Sequence, residues 1–310
     1  MPPETRPFRF GLSVPTRDVT RRGVLELARR AESAGIQVLL GSDHLGGWGA
    51  LPLLQAAAQA TSLRIGSLVL NNDLRHPAVL AQELATIDLV TDGRLEIGIG
   101  AGWNRPEYEA AGLAFDAPPQ RIARMRAAVA MLRSALRDGV IEHDADDAYP
   151  TIRQTGLPTS VQRPHPPILV GGGGPRLLAY AAREANIVGL DPRSLPDGGH
   201  DPLDVTAGAI DRKVGWIRDA AGDRWGELEI NVAIYDVDPE YERRGMPRPD
   251  PARRFPDAEV AASPHYLVGD ADRMVEDLQE RRERWGISYL VIGEQHLDVM
   301  RPVVERLSGR

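Results

Sequence analysis

Short runs of aliphatic and β-branched residues alternate in this chain with longer stretches whose apolar positions recur at helical spacing. The runs fall at 8–14, 36–40, 63–70, 95–99, 168–170, 187–190, 228–234 and 288–292. The amphipathic stretches predict helices over 24–34, 77–90, 120–137, 175–185, 205–221, 270–285 and 297–307. Local signals support several boundaries. Gly35 stops the first helix, Pro77 sits in the first turn of the second, and Asp92-Gly93 ends it. Strands that alternate with helices imply a parallel sheet, because parallel neighbours need long crossovers. Eight such units in 310 residues match the size of a (β/α)8 (TIM) barrel. A doubly wound open sheet is the other parallel architecture, but it usually has fewer strands per domain, and no linker divides this chain. The expectation is an α/β fold with one barrel domain over 1–310, residues 1–7 disordered, and insertion loops at 138–167, 191–202 and 236–264.

In such a barrel the segments after the strands share one face, where active sites form. Two of them are rich in glycine. Gly171 to Gly174 leave a strand and enter a helix at Pro175. Their backbone can approach a ligand closely, the helix start adds partial positive charge, and Arg176 adds a full one. This predicts an anion site, most simply for phosphate, at Gly172, Gly173, Gly174, Pro175 and Arg176. Gly100, Ala101, Gly102 and Trp103 offer a second close approach. The plainer alternative is that these glycines only make tight turns. A dinucleotide-binding reading finds an acid, Asp191, at the expected distance, but Arg176 stands where the third glycine should be.

Asp43-His44 closes the second strand. A histidine there can shuttle a proton near neutral pH, and Trp48, four residues on, can wall a planar ring. A histidine satisfied within the rim is the alternative. None of the seven histidines forms a metal-binding His-x-His or His-Glu-x-x-His pattern, and no Gly-x-Ser-x-Gly elbow is present.

Composition removes other chemistries. The chain has no cysteine, so thiol nucleophiles and Cys-ligated metals are excluded. It has one lysine, Lys213, which does not follow a glycine-rich turn, so there is no P-loop. A formal charge of −7 argues against nucleic-acid binding. No apolar run approaches the ~20 residues that cross a bilayer, and no signal segment opens the chain. A cytoplasmic protein that binds neither nucleic acid nor membrane is expected.

Several segments together resemble the bacterial luciferase-like (luciferase-like monooxygenase) family, and within it the coenzyme F420-dependent oxidoreductases. They are residues 31–35 leading to Ser42-Asp43-His44, 65–70 before His76-Pro77-Ala78, 82–88, 98–103, 166–172 and 267–270. The resemblance implies a barrel with insertions, usually a homodimer, with the coenzyme at the C-terminal face of the strands. It implies that Asp43 contacts the deazaflavin ring, that His44 stands beside the hydride-carrying carbon, and that Trp48 lines the substrate side. It also implies a non-proline cis peptide near Leu68-Val69. Gly100 to Trp103 and Gly172 to Arg176 would hold the phosphate and ribityl portion. One departure matters: where relatives place an acid after the fourth strand, this chain has Trp103 or Asn104, and Glu107 is the nearest carboxylate. The function implied is hydride transfer between F420 and a small organic substrate, with no metal. Two alternatives stay open. One is an FMN-dependent monooxygenase using O2 and a separate flavin reductase; the other is a non-catalytic barrel subunit.

Overall fold

A computed structural model describes residues 6–195, 200–238, 259 and 262–310. Strands β1 (Arg9–Val14), β2 (Val38–Gly41), β3 (Arg64–Ser67), β4 (Leu70–Asn71) and β5 (Leu95–Gly100) come first. Helices α1 (Arg21–Ser33), α2 (Ala50–Ala58) and α3 (Pro77–Val90) separate them. Next are α4 (Arg105–Ala110), α5 (Pro118–Asp138), β6 (Ile141–His143), β7 (Ile152–Gln154), β8 (Ile168–Gly172), α6 (Pro175–Glu184), β9 (Ile187–Leu190) and α7 (Ala207–Ala221). The chain continues with β10 (Glu229–Ala233), β11 (Asp236–Asp238), β12 (Tyr266–Val268), α8 (Ala271–Trp285), β13 (Ile287–Gly293) and α9 (Leu297–Leu307).

β1, β2, β3, β5, β8, β9, β10 and β13 pair in parallel in that order, and β13 pairs with β1, so the sheet closes. The fold is the (β/α)8 barrel that the alternation implies. Its strands read as unbroken apolar runs because both faces are covered, by helices outside and by each other within; all six residues of β5 are buried. The helices are closed locally. Thr20 caps α1 through its hydroxyl on the Gly23 N–H, and Asp270 caps α8 on the Arg273 N–H. Gly286, at φ 74°, ends α8 in the left-handed region.

Three features differ from the expected elements. Helix α2 was not anticipated: it is apolar nearly all round and has no side-chain cap, so it shows neither a clear stripe nor a start signal. The run at 63–70 is interrupted between β3 and β4, at the Leu68–Val69 peptide, which is cis as the resemblance implied. The first insertion carries an antiparallel hairpin, β6 with β7. Of the 1–7 segment only Arg6 and Pro7 are described, and Arg6 donates to the Gly226 and Glu227 carbonyls. Residues 196–199 of the second insertion, and 239–258 with 260–261 of the third, lie outside the described residues.

The barrel interior is small and layered. Val38, Leu40, Leu169, Ile187, Tyr289 and Val291 fill its middle, with Leu68 and Val69 against them. Strand alternation then points Gly171 and Gly189 inward one level higher, at paired positions of β8 and β9. The upper interior is therefore nearly free of side chains. A Cβ at Gly100 would lie 2.8 Å from Val69 Cγ2, so this face tolerates little more than glycine there. Among the described residues no helix is long and apolar enough to cross a membrane.

Candidate active site

The segment after β2 presents His44 at the open end of the barrel. Its Nδ1 lies 3.4 Å from the Glu107 carboxylate on α4, and that carboxylate also accepts the Leu45 N–H. The Glu107 side chain is only 7% exposed and that of His44 is 33% exposed. With Nδ1–H directed at Glu107, Nε2 is the nitrogen left to work on a ligand. The Trp103 ring meets His44 edge-on, with centroids 5.7 Å apart. Three predicted residues separated in sequence thus converge: His44, Trp103 and Glu107. Trp48 does not join them. It is exposed on the same loop, its backbone N–H donates to Thr16 O, and its ring stacks on none of the described rings.

Asp43 is nearly buried, and its carboxylate is already engaged. Arg75 donates to both oxygens at 2.6 and 3.0 Å, and the Asn71 N–H adds a third bond at 3.1 Å. Burial works against the Arg75 charge, but the bond to Asp43 outweighs it and raises the Arg75 pKa. The pair ties the end of β2 to the segment after β4. His76, beside it, caps α3 through Nδ1 on the Ala78 N–H. A pocket of about 380 Å³ borders Arg75, Asp73 and Tyr149; it lies beside the Asp43–Arg75 pair rather than over His44.

The glycine segments occupy the same rim. Gly102 has φ +75°, and a Cβ there would lie 1.9 Å from the Tyr108 hydroxyl, so no other residue fits. Arg121 donates to the Ala101 and Gly102 carbonyls, which fixes this turn. Gly172 ends β8 and Gly174 starts α6, whose N-terminus has no side-chain cap. Pro175 has no N–H, so the Arg176 and Leu177 amides remain for an anion. A Cβ at Gly173 would lie 2.4 Å from the Arg193 N, so this turn needs glycine for its own packing too.

The sequence model of the luciferase-like monooxygenases matches residues 7–209. The chain belongs to that family. This luciferase-like chain is 31% identical to an F420-dependent glucose-6-phosphate dehydrogenase of Kribbella flavida over 188 residues, 57% of this chain and 55% of that protein. It is 27% identical to the same-named protein of Mycolicibacterium smegmatis over 320 residues, 92% of this chain and 91% of that one. The chain spans little more than half the length of the curated relatives it matches at about 30% identity. Its fold superposes on the coenzyme F420-dependent tetrahydromethanopterin reductase of Methanopyrus kandleri with a TM-score of 0.76 and 19% identity, covering 97% of this chain and all of that one.

Two further groups stand near this luciferase-like rim that the motifs did not single out as catalytic: Asp191 follows β9, with Oδ2 3.0 Å from where a Cβ on Gly171 would lie, and His200 lies on the second insertion. The His200 and Trp103 ring centroids are 4.7 Å apart, so Trp103 touches both histidines. Burial pushes the Asp191 carboxyl up, and the neighbouring His200 and Lys213 only partly oppose this. Asp191 did carry a signal, its position after a strand, but the dinucleotide reading that noticed it was the wrong frame. Lys213 is explained as structure. Its buried ammonium donates to the Asp191 and Asp204 carbonyls and pairs with the Asp204 carboxylate at 2.9 Å, so it pins the end of β9 and is not a nucleophile.

Proposed function

We propose that this luciferase-like protein is a coenzyme F420-dependent oxidoreductase acting on a small organic substrate. The observation that carries this reading is the His44–Glu107 pair, set at the rim above an interior layer that glycines leave open. A flat ring fits that layer, and the uncapped start of α6 with Arg176 fits a phosphate. Bound there, the deazaflavin would supply the hydride donor or acceptor. His44 Nε2 handles the proton that accompanies hydride transfer. Glu107 orients the imidazole. Asp43, engaged by Arg75, positions the segment that carries His44, and Trp103 excludes water from one side of it. Trp48, exposed beside the mouth, is placed to cover a bound substrate. The names of the relatives of Kribbella flavida and Mycolicibacterium smegmatis support the choice of coenzyme.

Titration of the purified protein with F420 and, separately, with FMN tests the coenzyme by fluorescence and by thermal unfolding. F420 is expected to bind and to raise the melting temperature, since a ligand of the folded state must stabilise it. Tight binding of FMN with none of F420 would replace this reading with the monooxygenase one.

A further inference from the structure

Resting on that functional reading, we propose that Asn71 and Tyr108 are positioning residues for the His44–Glu107 pair: the bond between their side chains holds helix α4 where Glu107 meets Nδ1 of His44, which leaves Nε2 to the cleft.

Glu107 has little of its own to fix its place. Helix α4 is six residues long and has no side-chain cap at Asn104, so helix propensity alone does not hold it. Tyr108, next to Glu107, is the one fully buried residue of α4. Its hydroxyl faces two acceptors, Asn71 Oδ1 at 2.9 Å and Asp73 Oδ2 at 3.0 Å. Burial and the Asp73 charge push this phenol up, so it stays a donor. Both acceptors are fixed in turn. Asn71 Oδ1 accepts the Asp73 N–H at 3.1 Å, and Arg124 donates to both oxygens of Asp73 at 2.7 and 3.0 Å. The turn above is shaped around the bond: a Cβ at Gly102 would lie 2.8 Å from Asn71 Oδ1 as well as on the Tyr108 hydroxyl.

Asn71 also reaches the other member of the pair. Its backbone N–H donates to Asp43 Oδ2 at 3.1 Å, and Asp43 directly precedes His44. One residue of β4 therefore holds His44 through its main chain and Glu107 through its side chain. Glu107 closes the loop by accepting the Leu45 N–H beside His44. The pair is sensitive to small movements. His44 Nδ1 and the Glu107 carboxylate are 3.4 Å apart, near the far limit of a hydrogen bond, so a slight shift of α4 decides whether the bond forms. Removing the Tyr108 hydroxyl leaves Asn71 Oδ1 with the Asp73 N–H and Asp73 with Arg124. No acceptor is orphaned, and the fold itself is expected to lose little.

The test reads the His44 tautomer from ring-nitrogen NMR shifts of the protein without coenzyme, at about pH 8.5, above the ordinary imidazole range. Comparison with His44→Gln assigns the signals. The Nδ1–H form is expected to predominate in the unaltered protein, because a carboxylate can only accept. Tyr108→Phe and Asn71→Ala are each expected to lower the ratio of Nδ1–H to Nε2–H about threefold or more, in the direction of Glu107→Ala, with urea midpoints nearly unchanged. Phe115→Leu removes the ring that packs edge-on against Tyr108 at 4.9 Å, keeps the hydroxyl, and is expected to leave the ratio as it is. A mainly Nε2–H tautomer in the unaltered protein, an unchanged ratio in either Tyr108→Phe or Asn71→Ala, or an equal fall in Phe115→Leu would each overturn the proposal. A collapse of the urea midpoint in both variants would assign the bond to folding and overturn it as well. If F420 fails to bind the unaltered protein, the functional reading falls and the pair loses its assigned role; if F420 binds and the tautomer ratios do not move, that reading stands and this proposal alone is lost.

Discussion

The two ends of the barrel handle buried charge in opposite ways. At the N-terminal end Arg9 bridges two carboxylates, Glu96 at 2.6 Å and Glu229 at 2.7 Å, and Arg64 and Tyr289 also bond Glu96. Burial alone would push the Glu96 carboxyl up, but Arg9 and Arg64 outweigh it and hold it below its ordinary range. At the C-terminal end burial raises Asp191, His200 and Lys213 only partly oppose this, and no described residue bonds its carboxylate. One end closes the barrel with a satisfied network. The other engages Asp43 through Arg75 but leaves the Asp191 carboxylate without a hydrogen bond from the described residues, and its interior stays open.

Substitutions at the two ends should therefore separate stability from activity. Arg9→Met leaves Glu229 without its cation and Glu96 with Arg64 alone, and is expected to cost about 3–5 kcal/mol of stability in urea unfolding. Its folded fraction should still bind the coenzyme. His44→Ala is the converse: turnover is expected to fall by about 10²–10⁴-fold, with the urea midpoint and coenzyme affinity nearly unchanged. A variant at Arg9 that lost only activity, or one at His44 that lost mainly stability, would erase the contrast between the ends.

The next effect concerns His265, which lies under Tyr235. Burial pushes its pKa down to about 3, with the Nδ1 contact to the Ala233 carbonyl opposing this. The unfolded chain then takes up a proton below about pH 6.5 that the folded chain refuses. Stability is expected to fall as pH drops from 6.5 towards 3, by up to about 1.4 kcal/mol per pH unit. His265→Gln should flatten that slope between pH 6.5 and 5, as read from urea midpoints. The smallest effect is a gain. A carboxyl whose folded pKa is raised destabilises the fold as pH rises through that value, because the unfolded chain gives up the proton first. Asp191→Asn should remove this and stabilise the protein by on the order of 1 kcal/mol at pH 8. A loss of stability instead would place Asp191 with the structural network.

Much of the candidate site was legible because its residues follow strands directly. His44 after β2, the Gly100–Trp103 segment after β5 and the Gly172–Arg176 turn into α6 are local features: a strand, a turn residue and a helix start within a few positions. The cis peptide at Leu68–Val69 was reached only through the family resemblance. Glu107 was noticed as the nearest acid, but its contact with His44 spans 63 residues and depends on where α4 rests. The Asp43–Arg75 pair likewise depends on how the end of β2 meets the segment after β4. Helix α2 stayed hidden because a segment apolar nearly all round carries no stripe to read.

By itself, the chain's order of apolar runs and helical stretches determined the barrel, and glycine placement determined where that barrel stays open. Periodicity and turn chemistry act over a few residues, so a linear reading captures them. Which charges find partners is different. Arg9 is neutralised and Asp191 is not because barrel closure brings β1 beside β13 and within reach of Glu96, while Lys213 spends its donors on backbone carbonyls and Asp204. Those pairings span tens to hundreds of residues, and only the closed fold decides them.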